Sequence, residues 1–459
     1  MFWLGIDAGS SFVKAALLDP GSGAVREGRS IPAPDFLDAG NFSSGKAPLS
    51  YSSRREISVD VLAETVQALI GAYAEKFPIE GILFSVQMHG FELYSPCDGR
   101  AVTNYVTWQD RRAFGSGGGT AAKISEIAGG ELRRNGVILN NSHSLSPLVH
   151  FLEEEKPAGP LAFALLGDAL IRRLTGQVIP IHPTEAASTG MYDLEGRDWN
   201  RRLSDVLSLG KIEFPPVAEK REPAAYFRPA KGKEIPMYLP VGDHQAAILG
   251  SGATAGSMVI NIGTGGQICW VDNGLVFGPY ETRPFFSGLS LRTLSDLPSG
   301  RSLSALVDFF WDIGKNVFDL EGEDSREFRE KINALAEKAV EAGGKLPAMD
   351  MNFFDREGGA IRGITADKLS AGNLTAAAYT AMADAAFDGY KRLEPGGAKP
   401  ASLIGAGGVL LRTPLLRGMI SRRFGMPLRS ALHPEDVMYG LLKLGRWHAG
   451  YTEDPLLEK

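Results

Sequence analysis

Gly242-Asp243-His244-Gln245 places an acid after an apolar strand pattern and a glycine, and before a run of small residues. A carboxylate there sits at the carboxyl end of a strand, where open α/β sheets present reactive groups. It could take the proton of an attacking hydroxyl, as general bases do in phosphoryl transfer to alcohols. The same position also suits an N-cap of a helix running through Ala246 and Leu249, and the two readings are compatible. A second acid, Asp7, lies in Leu4-Gly5-Ile6-Asp7-Ala8-Gly9-Ser10-Ser11, ahead of Phe12-Val13-Lys14-Ala15. The device recurs as Val259-Ile260-Asn261-Ile262-Gly263-Thr264-Gly265-Gly266, ahead of Gln267-Ile268-Cys269-Trp270. Each copy reads as a β-hairpin whose tip offers backbone N–H groups and the hydroxyls of Ser10, Ser11 or Thr264 to an anion. Gly9 and Gly263 allow close backbone approach. Aligning the copies pairs Asp7 with Asn261, so only the first carries a carboxylate. An acid beside a phosphate fits a divalent cation lying between them. Lys14, on the second arm, reads either as a phosphate ligand or as a solvated strand lysine.

A third constellation joins Gln87-Met88-His89-Gly90 with Thr107-Trp108-Gln109-Asp110-Arg111-Arg112. Hydrogen-bonding groups beside apolar surface suit a polyol or sugar, with an indole against C–H faces and His, Gln and Asp on hydroxyls. Each member also has a plain structural reading. Trp108 suits a core or rim position, His89 a structural histidine, and Asp110 an ion pair with the neighbouring arginines. Asp168 reads as a helix N-cap, and His143, His150 and His182 lack metal-ligand spacing. There is no G-x-x-x-x-G-K-[ST] loop, so this is not a P-loop chain.

These residues must be carried by alternating strands and helices. Residues 1–30 read as a hairpin plus a further strand, and residues 31–56 as a surface loop. Val59 to Phe77 has helical spacing, and Gly81–Val86 is a buried strand, the order of a layered α/β domain. Helices are also expected over Arg326–Ala342, Leu374–Lys391 and about Thr413–Phe424. Ser402 to Gly408 reads as a strand entering a glycine turn. At 459 residues the chain exceeds one core, and the break is placed near 249–256, giving domains 1–250 and 251–459. A net charge of −6 without a long Lys/Arg stripe argues against a nucleic-acid binder. No stretch is long and apolar enough to span a membrane. The N-terminal apolar run lacks a basic lead and is interrupted by Asp7, so it makes a poor signal peptide. Only two cysteines in so long a chain suit a reducing cytosol, so the expected location is cytoplasmic.

In their order along the chain, these segments resemble the FGGY family of carbohydrate kinases. The resemblance rests on Ile6–Ser11, Gln87–Gly90, Trp108–Arg111, Gly242–Ala247, Asn261–Gly265 and Gly405–Gly408. It implies an α/β fold of two actin/ribonuclease-H-like domains with a cleft between them. The N-terminal domain would bind sugar and carry catalysis, and the C-terminal one would bind nucleotide. It also implies ATP and Mg²⁺ as cofactors, a small-molecule sugar as partner, and a monomer or homodimer. Asp243 would be the general base, Asp7 the metal ligand, and Gln87, Met88, His89, Trp108, Asp110, Asp243 and His244 the sugar site. Ser10, Ser11, Lys14, Gly263, Thr264, Gly300, Gly407, Gly408 and Arg412 would bind ATP. Trp-Gln-Asp followed by Arg looks closest to the sedoheptulokinase-like branch, which makes a seven-carbon ketose the leading substrate. A five-carbon ketose or its polyol is the alternative, and a non-catalytic nucleotide-dependent sugar sensor on the same fold a further one. Arg111, Leu410-Leu411-Arg412 and Arg422-Arg423 depart from the family's usual residues.

Overall fold

Strand β1 (Phe2–Ala8) turns through Gly9-Ser10-Ser11 into antiparallel β2 (Phe12–Asp19), which pairs in turn with antiparallel β3 (Ala24–Pro32). The computed structural model describes residues 2–37, 54–115, 118–229, 231–319, 326–354, 358–394, 396–433 and 435–457. Most of the loop expected over 31–56 lies outside the described residues; its first two residues belong to β3. Helix α1 (Val59–Ala74) starts where Ser58 Oγ accepts the Val61 amide at 3.3 Å. That capping oxygen satisfies an amide that has no partner within the helix. Leu62, Val66, Leu69, Ile70 and Tyr73 form its buried stripe. The chain then enters β4 (Ile79–Val86), parallel to β1.

Strands β5 (Ala225–Phe227), β6 (Ile235–Met237) and β7 (Val241–Gly242) complete the first sheet, in the order β5-β6-β4-β1-β2-β3 with β7 also on β4. The parallel members end in step. Asp7 lies opposite Ser85 of β4, and Ser85 opposite Val241 of β7. Helix α2 (Asp243–Gly250) therefore begins beside the carboxyl end of β4, one strand away from that of β1. One face of the sheet is closed by α1, whose buried residues join Leu4, Ile6, Ala8 and Phe84 in one apolar cluster. Against the other lies α3 (Asp436–His448), which packs on α2, β1 and β4.

The chain divides into two compact units. The first is Met1–Gly252 with Asp272–Leu291 and Leu432–Lys459; the second is Ala253–Val271 with Arg292–Ala431. A single cut at 250/251 is thus replaced by interleaved segments, because α3 completes the first sheet's cover. In the second unit, β8 (Ser257–Ile262) pairs antiparallel with β9 (Gly266–Asn273) and parallel with β10 (Ser402–Ala406). Hairpin plus parallel neighbour is the arrangement of β1, β2 and β4, so the repeat seen in sequence is a repeat of topology. The expected helices appear as Arg326–Glu341, Ala371–Leu393 and Pro414–Phe424.

Helices α2 and α3 approach until their backbones touch. A Cβ on Gly440 would stand 2.0 Å from the Ala246 carbonyl oxygen, and one on Gly250 would stand 1.7 Å from that of Asp436. In an open helix Gly→Ala stabilises by about 1 kcal/mol. Here overpacking against backbone reverses the sign, and Gly440→Ala should cost about 3 kcal/mol in urea unfolding. Gly28→Ala, where nothing lies within 4 Å of the new carbon, serves as the neutral comparison. A stabilised Gly440→Ala would show that the crossing is looser than described.

Candidate functional site

The lined-up strand ends bring two acids together in the first unit. Ser85 Oγ donates to Asp7 Oδ1 at 3.1 Å, and the His244 amide donates to Asp243 Oδ1 at 2.8 Å. Gly242 is the N-cap and Asp243 the first helical residue, so the side-chain cap expected of Asp243 is not formed. Both residues are half-buried. Burial, then the negative charge of Asp243, pushes Asp7 up to about 7. Burial raises Asp243 to about 6, against the His244 amide and the positive charge of Arg283. Asp436, at the start of α3, is raised by burial as well. Its neighbour Glu435 holds Lys14 Nζ at 2.9 Å, so the lysine is engaged by a carboxylate. Burial opposes the Lys14 charge, but the Glu435 hydrogen bond and charge outweigh it and raise its pKa. Among the described residues no group of three or more His, Cys, Asp or Glu side chains is arranged to hold a metal. A lone hard oxygen donor such as Asp7 still fits Mg²⁺, which keeps waters and takes substrate phosphates as ligands.

A polar network flanks Asp243. His89 follows β4 with φ of 66°, a left-handed conformation uncommon outside glycine. Two bonds from one residue hold it there. The His89 amide donates to Ser188 Oγ at 3.2 Å, and its ring Nδ1 lies 2.7 Å from the Ser188 carbonyl. The His89 ring meets His143 edge-on, with centroids 4.7 Å apart. His143 Nε2 faces Glu281 Oε1 at 3.5 Å. Arg283 gives Nε and Nη2 to Glu281 Oε2, at 2.8 and 2.5 Å, and sets Nη1 3.2 Å from His244 Nδ1. Burial would raise Glu281, yet the Arg283 guanidinium and the His143 ring hold it well below the usual carboxylate range. Burial and then the Arg283 charge lower His244 to about 3, so its imidazole is neutral. Burial, then His143 and Arg283, likewise holds His89 well below the ordinary histidine value. Among the described residues, His244 Nε2, Gln245 Oε1 and Gln87 Oε1 are buried without a partner.

The remaining sugar-site residues separate. Gln87 lines a small cavity with Gly9, Ser10, Thr107 and Gln109, which joins the first hairpin tip to both sugar segments. Met88 packs against Gly242, where an added Cβ would stand 2.8 Å from Sδ. Trp108 is partly exposed, at 39%. Asp110 has both oxygens occupied. Arg112 Nε reaches one at 2.8 Å and Nη2 the other at 3.0 Å, with the Arg55 amide on the latter at 2.7 Å. In this arrangement its carboxylate is an ion-pair and turn residue.

The nucleotide-type residues gather in the second unit. The Gly300 amide donates to the Gly263 carbonyl at 2.9 Å, and Ser299 Oγ to that of Thr264 at 2.7 Å. Gly407, at φ of 86°, lies against the same turn, since a Cβ there would stand 2.4 Å from Asn261 Oδ1. Arg412 folds over Gly408, its Nη1 2.7 Å from where a Cβ would be. Gly263, Thr264, Gly300, Gly407, Gly408 and Arg412 thus form one cluster. The amides of Gly9 and Gly263 close their own turns, on Phe12 and Gly265, leaving the hydroxyls and the other amides for a ligand.

Residues 2–250 match the FGGY family of carbohydrate kinases, N-terminal domain. The chain belongs to that family. Its fold is accordingly the two-domain actin/ribonuclease-H-like one. The chain is 27% identical over 233 residues to a glycerol kinase of Thermococcus kodakarensis, which covers 43% of this chain and 44% of the relative, less than half its length. To a sedoheptulokinase of Mus musculus it is 24% identical, with 93% of each chain covered. Among solved structures, a ligand-bound xylulose kinase from Lactobacillus acidophilus superimposes with a TM-score of 0.80, 18% identity, and coverage of 99% and 91%. Among the described residues no helix is long and apolar enough to cross a membrane.

Sequence reasoning missed Glu281, Arg283 and Ser188 at this candidate site, as well as Glu435 and Asp436. None lies in a motif; Arg283 and His244 are 39 positions apart. Holding Asp243 half-buried has a price in stability. Its folded pKa lies above the ordinary 3.8, so the folded state binds the extra proton between about pH 4 and 6. This group's contribution therefore falls as pH rises through that interval, by roughly 3 kcal/mol in all. Asp243→Asn should be more stable than the parent at pH 8, by roughly 2 kcal/mol, and equal to it near pH 4. Urea midpoints at the two pH values measure this; no gain at pH 8 would mean that Asp243 is solvated.

Proposed function

We propose that this FGGY chain transfers the γ-phosphoryl group of ATP to a hydroxyl of a polyhydroxy substrate, with Asp243 as general base. The observation that carries the reading is the alignment of Asp7 and Asp243 at the carboxyl ends of β1 and β7, both half-buried and raised in pKa by desolvation. A base near the working pH combines a usable unprotonated fraction with enough basicity to accept a hydroxyl proton. Asp243 would hold the proton that leaves the attacking oxygen, and Arg283 nearby supports the ionised form that must be present first. Asp7 would hold Mg²⁺, which supplies positive charge to the phosphates when bound. The hydroxyls of Ser10 and Ser11 in the first unit and of Thr264 in the second are assigned to phosphate oxygens, with Gly263 shaping the turn that lets them approach. Gly300, Gly407, Gly408 and Arg412 are assigned to the rest of the nucleotide. Lys14 reaches a phosphate in this reading only on exchanging Glu435 for it.

The substrate we favour is a seven-carbon ketose phosphorylated on its terminal primary hydroxyl. A relative matched over 93% of both chains is a sedoheptulokinase, and Trp108-Gln109-Asp110 resembles that branch, from which Arg111 departs. The glycerol kinase and xylulose kinase likenesses support a shorter polyol or pentulose as the second reading. The test is ADP release from ATP and Mg²⁺ with sedoheptulose, xylulose, ribulose, fructose, glycerol and pentitols. One sugar should stimulate release, and Asp243→Asn should lower that rate by roughly 10²–10⁴-fold while sugar still binds. Undiminished turnover in the variant removes Asp243 from the base role. Nucleotide binding without phosphorylation of any sugar would overturn the kinase reading in favour of a sensor.

A further inference from the structure

We infer that Glu281 and Arg283 are positioning residues that fix the tautomer of His244, opposite to the one the Ser188 carbonyl fixes at His89, so that this cluster offers one ring N–H donor and one ring acceptor. The inference rests on the kinase reading for its substrate but not for its geometry. Arg283 can only donate, so His244 Nδ1, 3.2 Å from its Nη1, must be the lone-pair nitrogen. A neutral imidazole then carries its proton on Nε2, the buried atom without a partner among the described residues. His89 is set the other way. Its Nδ1 lies 2.7 Å from a carbonyl oxygen, which can only accept, so Nδ1 bears the proton and Nε2 the lone pair. Glu281 anchors the first assignment by binding two nitrogens of the guanidinium, which aims the third at His244. His143 is oriented by the same acid: its Nδ1 accepts the Asn140 amide at 3.2 Å, leaving Nε2–H toward Glu281.

The ligand this pattern selects is a chain of neighbouring oxygens rather than a lone alcohol. One hydroxyl donates to the Asp243 carboxylate and is the phosphoryl acceptor. A second oxygen, hydroxyl or carbonyl, accepts from His244 Nε2–H. A third, necessarily a hydroxyl, donates to His89 Nε2. A ligand lacking the second oxygen would leave a buried donor unpaired, which disfavours it more strongly than a lost contact at the surface.

The test begins on the full chain without any ligand. Long-range ¹⁵N–¹H spectra of protein labelled in its histidine rings should show Nε2–H for His244 and Nδ1–H for His89, each signal assigned by its loss in His244→Gln or His89→Gln. Nδ1–H at His244, or a charged ring there at neutral pH, would overturn the inference whether or not the chain is a kinase. Removing the device as a pair, Arg283→Met with Glu281→Gln, avoids stranding a buried charge. This variant should mix the His244 tautomers and raise the KM of the sugar phosphorylated best in the panel by about tenfold, the scale of one lost hydrogen bond. The KM for ATP should stay within about twofold. Adding His244→Gln, whose amide nitrogen takes the place of Nε2 without needing Arg283, should recover most of the sugar affinity. If the paired variant fails to fold, the parent spectrum alone still decides. The expected spectrum with no sugar phosphorylated would leave the tautomers standing and sink the kinase reading instead.

Discussion

The backbone contact between α2 and α3 is the constraint on which the first unit's site depends. Helix α2 has only eight residues and begins with Asp243, so its direction is set by what it packs against. Gly250 and Gly440 have no side chains, which lets the helices meet carbonyl to Cα, as their missing Cβ atoms show. That approach draws the end of the chain onto the first sheet, where a Cβ on Gly5 would stand 3.3 Å from Leu441 and one on Gly445 would stand 3.2 Å from Leu83. It also sets the first residue of α3, Asp436, among the charged groups around Asp7 and Lys14. A larger residue at either crossing point would move the helix that carries the proposed base.

Bringing these acids together runs against stability, and the surroundings offset the cost only in part. Ser85 and the His244 amide each supply one hydrogen bond to a carboxylate, while burial works against both charges. Contrast Glu92, more fully buried, which receives Arg172 and Arg173 within 2.6–2.9 Å. Glu92 is a satisfied structural acid. Asp7 and Asp243 are left short of partners, the condition in which a cation and a hydroxyl-bearing ligand gain most from binding.

Much of this arrangement is legible in the amino-acid order, and the missing part has a physical cause. Apolar runs placed β1, β2 and β4, helical spacing placed α1 and the three later helices, and the glycine-hydroxyl turns located both hairpins. The acids ending β1 and β7 were visible because strand ends and reactive groups coincide in parallel sheets. Local spacing cannot report what arrives from afar. Glu281 and Arg283 reach His244 from a strand 39 positions on, and α3 returns to the first sheet from the far end of the chain. Asp110 illustrates the opposite hazard. Its neighbours in sequence raised the prospect of an ion pair with arginine as readily as a sugar contact, and the carboxylate is indeed taken by Arg112.

The two hairpins show how one topology can be turned to two electrostatic tasks. In each, the first arm lies between its antiparallel partner and a parallel strand. Asp7 faces Lys14 and Ser85 across the first pair, and Asn261 faces Gln267 and Ala406 across the second. The first copy carries an ionisable acid that receives a hydroxyl hydrogen bond; the second carries an uncharged amide and is crowded, with Gly407 tight against the Asn261 amide oxygen. In the proposed reading this asymmetry follows from what each tip meets. A carboxylate is useful beside phosphate only where a cation intervenes, so one copy suffices to hold it. At the other tip a second negative charge would repel the phosphates, and an uncharged amide keeps the turn's shape without that repulsion. Asn in place of Asp is therefore the substitution expected when a duplicated anion-binding turn gives up its cation and keeps its anion.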